Sequence, residues 1–230
     1  MVQGFIASTV FCSAVVFSQI AYAIVDVESL RDRAGNEAGY SSSGNLQASG
    51  ASGNSDRADV SFSALLQYLG NGFSNLFVIG SEYGETSGNR SADEQLIHLR
   101  HTRVLTKRSD WEVFSQLQQN EFTRLEERTL LGSGIRLGFG DNLDSRLYLG
   151  LGAFYESTRN ENESAREMGR SNIYVSHRKK TSKDISFITT AYLQNKLDDP
   201  DDQRAIGSFS MSIPATVNLD FTISVNVEHD

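Results

Sequence analysis

The stretch WEVFSQLQQNEFTRLEERTLLGSGIRLGFGDNLDSRLYLGLGAFYE, residues Trp111–Glu156, decides the fold. It divides into three alternating segments of about ten to thirteen residues, separated by the polar breaks TRLEE and DNLD. In the second segment Leu131, Ile135, Leu137 and Phe139 hold odd positions, while Gly132, Gly134, Arg136 and Gly138 hold the even ones. In the third, Leu147, Leu149, Leu151, Ala153 and Tyr155 share one face; Arg146, Tyr148, Gly150, Gly152, Phe154 and Glu156 share the other. Side chains alternate across a strand, so each segment predicts a β-strand with one continuous apolar face and one polar or glycine face. Strands of soluble proteins are usually about five or six residues long. About nine to eleven tilted residues are what a strand needs to cross a bilayer. The expected fold is therefore all-β: an antiparallel up-and-down transmembrane β-barrel whose apolar face meets lipid.

Bulk properties agree. At 230 residues the chain suits a single barrel. A hydrophobic content of 39% and a mean hydropathy of -0.34 are too low for a helical membrane protein. A barrel escapes such averages because half of every spanning strand is polar. Nineteen glycines against two prolines fit strands, which tolerate Gly at bends but lose a ladder hydrogen bond at Pro. A formal net charge of -8 leaves no basic stripe for phosphates and argues against a nucleic-acid partner.

The N-terminus, MVQGFIASTVFCSAVVFSQIAYA, has an apolar stretch around Phe5–Phe17 followed by the small-x-small site Ala21-Tyr22-Ala23. Residues 1–23 are expected to be a cleaved export signal, although no Lys or Arg precedes the apolar stretch; a membrane anchor is the alternative. The only cysteine, Cys12, falls in this segment, so the mature chain needs no disulfide or thiolate metal site. Residues 24–39 are expected to form a polar periplasmic lead-in, and residues 40–230 the barrel.

Taken in order, the expected strands are Tyr40–Gly50, Ala58–Leu69, Ser74–Tyr83 and Glu94–Thr106, then the three of the opening stretch. Gly169–Arg178, Asp184–Asn195, Arg204–Ile213 and Val217–Val227 follow. Gly84–Asp93 and Ser157–Met168 read as long loops, and Pro214–Thr216 as a turn. That makes about eleven strands. Odd-numbered connections are on balance longer than even ones, as long outer loops and short periplasmic turns require. Bacterial single-chain barrels have an even strand number, so a twelfth, closing strand is expected beyond these eleven.

With the strands in place, the chain resembles a family of proteobacterial outer-membrane proteins of unknown function, often labelled salt-induced outer-membrane proteins. The resemblance rests on IVDVESLR at Ile24–Arg31, on Trp111–Leu137, and on LGLGAFYE at Leu149–Glu156. Within it, Phe114, Gln116, Asn120, Phe122, Leu125, Arg128, Leu131, Gly132 and Gly134 carry the pattern. The resemblance implies an outer-membrane barrel of about twelve strands and no established activity, so it supplies no catalytic residues.

The polar face of the opening stretch is the candidate site. Glu112, Gln116, Gln118 and Asn120 on one strand lie beside Arg136 on the next, with Arg146 and Glu156 on the third. Such groups can pair with one another inside a barrel or line a narrow aqueous path. A barrel of about twelve strands falls between side-chain-filled barrels and wide porins, and an occluded interior is expected ahead of an open pore. No cofactor or metal site is expected. His98 and His101 fall on opposite faces, and Asp198, Asp199, Asp201 and Asp202 match no calcium-loop spacing. Ser176 and His177 are adjacent and so face opposite ways; a Ser–His pair assembled from different strands remains the route to a hydrolase. The expected partners are outer-membrane lipids, lipopolysaccharide and the barrel assembly machinery.

Overall fold

A computed structural model describes residues 38–53, 56–140, 145–216 and 219–229. The export segment and most of the lead-in lie outside the described residues. Eleven strands form one sheet: β1 (Gly39–Ala51), β2 (Arg57–Gly70), β3 (Phe73–Thr86), β4 (Asn89–Thr106), β5 (Ser109–Asn120), β6 (Leu125–Phe139), β7 (Ser145–Asn160), β8 (Arg166–Lys180), β9 (Ser186–Lys196), β10 (Gln203–Thr216) and β11 (Leu219–His229). Each pairs with its sequence neighbours in the order β1 to β11, and every pairing is antiparallel. Among the described residues no ladder joins β1 to β11, so the sheet is not closed.

The expected strand number is right, and two expected loops are corrected. Gly84–Asp93 is no long loop: β3 and β4 continue through it to a two-residue turn at Ser87 and Gly88. Both turn residues have positive φ, 50° and 76°, the conformation that matches the twist of a tight hairpin. Ser157–Met168 likewise shrinks to residues 161–165, because β7 runs to Asn160 and β8 starts at Arg166. The charged residues that suggested loops alternate on strand ends with both faces polar. Pro214–Thr216 is part of β10, with a register shift between Pro214 and Thr216, a place where a strand tolerates proline. Among fully described connections, 71–72, 107–108 and 181–185 at one end have two, two and five residues, and 87–88, 121–124, 161–165 and 197–202 at the other have two, four, five and six, so the second set is on balance longer. We call these the short-turn end and the long-loop end.

Side chains on one face touch across non-adjacent strands, which makes that face the inner one. The Tyr174 hydroxyl on β8 donates to Glu112 Oε2 on β5 at 3.2 Å, and Arg204 Nη1 on β10 lies 3.9 Å from Glu156 Oε1 on β7. Strands in a sheet are spaced at roughly 4.8 Å, so contacts across three spacings require a strongly curled sheet. On this inner face polar and charged side chains, His98, Arg100, Glu112, Gln116, Arg128 and Gln194 among them, are buried. The outer face carries Leu66, Leu99, Leu131, Leu151, Ile173, Leu193 and Val225, all exposed. Polarity is thus inverted relative to a soluble domain, in which large apolar side chains fill the interior.

Candidate functional site: the polar interior

All seven residues expected from the sequence lie on the inner face, and their contacts fall into four groups. Glu112 is buried and pairs with Arg100 on β4, Nη1 to Oε2 at 3.0 Å, while accepting from Tyr174. The Arg100 guanidinium also lies 4.9 Å from the centroid of Phe114. A second group is a string of amides along β4 and β5. His98 Nδ1 donates to Gln116 Oε1 at 3.1 Å, and Gln116 Nε2 to Gln118 Oε1 at 3.4 Å. Gln118 and Asn120 then donate to the two oxygens of Glu94, at 3.1 and 3.3 Å.

Glu156 is the centre of the third group. Its carboxylate, 2% exposed, accepts from Arg128 Nε at 2.9 Å and forms an ion pair with Arg170, Nε to Oε2 at 3.1 Å, with Arg204 beyond. Arg170 also reaches Asp202 of the acidic turn at 2.9 Å. That turn is therefore used as an ion-pair partner; Asp198 lies 3.4 Å from Lys196. The fourth group sits at the short-turn end. Arg136 stacks over the Tyr148 ring at 3.4 Å and approaches Asp110 at 3.5 Å, and Arg146 reaches the Tyr148 hydroxyl at 3.5 Å. Arg136 therefore pairs with Asp110, its register partner.

The glycines of the opening stretch explain how the aromatic rings fit. The Phe114 ring lies against Gly132, where an added Cβ would meet it at 2.5 Å and Phe154 Cβ at 2.7 Å. Tyr174 covers Gly150, leaving no space for a side chain there. Gly134 and Gly152 are direct register partners, and a Cβ on Gly152 would sit 2.6 Å from the Ser133 carbonyl oxygen. Phe114, Phe154 and Leu130 form a buried apolar cluster, and Tyr174, Tyr192 and Ile206 another. Beside Glu112, Gly152 and Tyr174 the remaining void is about 10 Å³. A cavity needs roughly 10–15 Å³ of such space to hold one water, so this gap between the rings and Glu112 is at most water-sized.

Arg100, Arg128, Arg170 and Arg204 were not anticipated, since each was read within its own strand. Their signal was present: each occupies a position with the inward parity of its strand. His98 and His101 do face opposite sides, the first buried against Gln116 and the second donating from Nδ1 to Asn75 Oδ1 across 2.8 Å. No group of three metal-ligating side chains occurs among the described residues. Ser176 is buried against Thr190, whereas Ser145 Oγ and His177 Nε2 meet at 3.2 Å on the outer face, a pair from adjacent strands.

The outer face also carries a belt of rings near the short-turn end. Tyr40, Tyr68, Phe73, His101 and Trp111 follow one another at centroid distances of 4.6, 5.7, 6.0 and 6.3 Å. Trp111 Nε1 donates to Ser133 Oγ at 2.8 Å.

No curated protein is similar enough to this chain to match it. The family described as protein of unknown function, DUF481, matches residues 45–230, which takes in β2 to β11 and most of β1, and the chain belongs to that family.

Proposed function

We propose that this chain is an outer-membrane β-barrel without catalytic activity, with a structural or passive small-solute role in the envelope under salt or osmotic stress. The observation that carries this reading is the inverted polarity: a buried arginine–carboxylate interior under an exposed apolar surface that runs through the whole sheet. An exposed apolar face of that extent would drive a water-soluble protein to aggregate, whereas lipid is its natural solvent. The ring belt fits the same reading, since Trp and Tyr gather at the level of lipid headgroups. The stress role comes from the family resemblance alone. Heat-modifiable migration in gels and solubility that depends on detergent test the membrane assignment. Full solubility in plain buffer as a folded monomer would overturn it.

Closed packing around Glu112 favours the structural role over a diffusion channel with ion or solute preference. Planar-bilayer recordings decide between them, with no stable conductance expected. A hydrolase reading draws on one observation, the outward Ser145–His177 pair. There His177 would serve as base and Ser145 as nucleophile, but no described carboxylate or amide orients the imidazole. Hydrolysis of a lipid ester that disappears in Ser145→Ala would establish that reading.

A further inference from the structure

We propose that the outer face at the short-turn end holds one anionic phospholipid, with an acyl chain in a furrow above β5 and its phosphate on Arg103 and Lys107. The inference rests on the membrane assignment and adds a ligand class to it.

The furrow is set by side-chain size. On β5 the outward positions are Trp111, Val113, Ser115 and Leu117. Ser115 is flanked in register by Leu99 on β4 and Leu131 on β6, both of which stand exposed on either side of it. A small hydroxyl between two leucines leaves a trough, and the groove through it has a volume of about 470 Å³. Leu66 and Phe77 extend its apolar wall, and Tyr40, Tyr68 and His101 line it at the short-turn end.

Charge continues where the furrow ends. Along β4 the outward series runs Leu99, His101, Arg103, so a basic group follows directly on the ring belt. Lys107 lies in the adjoining turn. The Arg103 and Lys107 side chains are exposed and make no side-chain hydrogen bond or ion pair among the described residues. At the long-loop end the exposed arginines Arg124, Arg159 and Arg166 are instead each paired with a glutamate, and Asp198, Asp199 and Asp201 are exposed beside them. An apolar trough, then aromatic rings, then two unengaged cations reproduces the order of groups along a phospholipid: acyl chain, glycerol level, phosphate. Basic side chains at this level attract anionic headgroups.

Trp111 is the only tryptophan and stands at the mouth of the furrow, so the protein carries its own probe. The full chain is reconstituted in phosphatidylcholine vesicles. Brominated phosphatidylglycerol or brominated phosphatidylcholine is then added in equal mole fraction, and quenching of Trp111 is recorded. The expected association constant of the anionic lipid relative to the neutral one is roughly fivefold or more. Arg103→Gln with Lys107→Gln should return it to about one, and Ser115→Leu should lower it by filling the trough. Equal quenching by the two lipids in the unaltered protein overturns the proposal, as does a preference that survives the double substitution. Absence of quenching by either lipid would instead overturn the membrane assignment itself.

Discussion

Replacing Glu156 by glutamine tests whether the interior is dry. The substitution keeps the shape of the side chain and removes its charge, so Arg128 at 2.9 Å and Arg170 at 3.1 Å lose their shared carboxylate. Both arginines are buried, 2% and 4% exposed. Breaking a buried ion pair leaves an uncompensated buried charge and costs about 3–5 kcal/mol. The two pairs share one carboxylate and are coupled, so their losses do not add, and about 3–5 kcal/mol is expected for the variant as a whole. Glu163→Gln is the matched control. Its pair with Arg166 has the same 2.9 Å distance, but the side chains are 44% and 67% exposed. Solvent screening limits such a pair to roughly 0–1 kcal/mol. Urea unfolding of both variants in lipid vesicles, followed by Trp111 fluorescence, gives the difference. The control's small loss should fade further in concentrated salt, while that of Glu156→Gln should persist. Losses within about 1 kcal/mol of each other would refute the reasoning. They would mean that water reaches Glu156 and that the interior is an open path.

Three further outcomes follow from the geometry. Gly152→Ala should destabilise by about 2 kcal/mol or more, since its Cβ would strike the Ser133 backbone, whereas Gly207→Ala, with open space around it, should change stability little. Denaturant midpoints of the two variants check this. Arg136→Leu removes the Tyr148 stack and the Asp110 pair and should lower stability by about 1–2 kcal/mol, more than Leu137→Ile on the outer face. Equal thermal stability for those two would sink the claim. Phe114→Ala combined with Tyr174→Ala should raise conductance in planar bilayers, because these rings occupy the interior beside Glu112; an unchanged trace would show that the closure lies elsewhere.

Much of the architecture was legible because strand periodicity is a local signal. The faces of β6 and β7 follow directly from the alternation of Leu131 to Phe139 and Leu147 to Tyr155, and the structure turns those residues outward, exposed except for the half-buried Leu137 and Leu149. Strand ends were harder. Glu85, Arg90 and Asp93 suggested a loop because charge is the usual mark of one, yet the positive φ of Ser87 and Gly88 closes a hairpin within that charged run. Membership of the inner face was also local, and all seven site residues fell on it. Pairing was not, because it depends on register. Arg136 meets Asp110 only because β5 and β6 align Ser109 with Leu137, and Glu156 meets Arg204 only because the sheet curls. Tyr174 illustrates the same limit: nothing in the sequence of β8 marks it as a partner of Glu112, 62 residues away.

The Tyr174–Glu112 contact has a bearing on how the molecule comes apart. It ties β5 to β8 through the interior, and the Arg128–Glu156–Arg170 group ties β6, β7 and β8 to one another by side chains as well as by ladders. These four strands therefore cannot open singly without stranding a buried charge. Among the described residues β1 and β11 have a ladder on one side only, and no side chain of β1 is buried. Amide hydrogen exchange should accordingly divide the sheet in two, with slow, concerted exchange over β5–β8 and progressively faster exchange toward both edges. The polar interior thus acts as a clasp on the middle of the sheet, leaving its rims the first parts to fray.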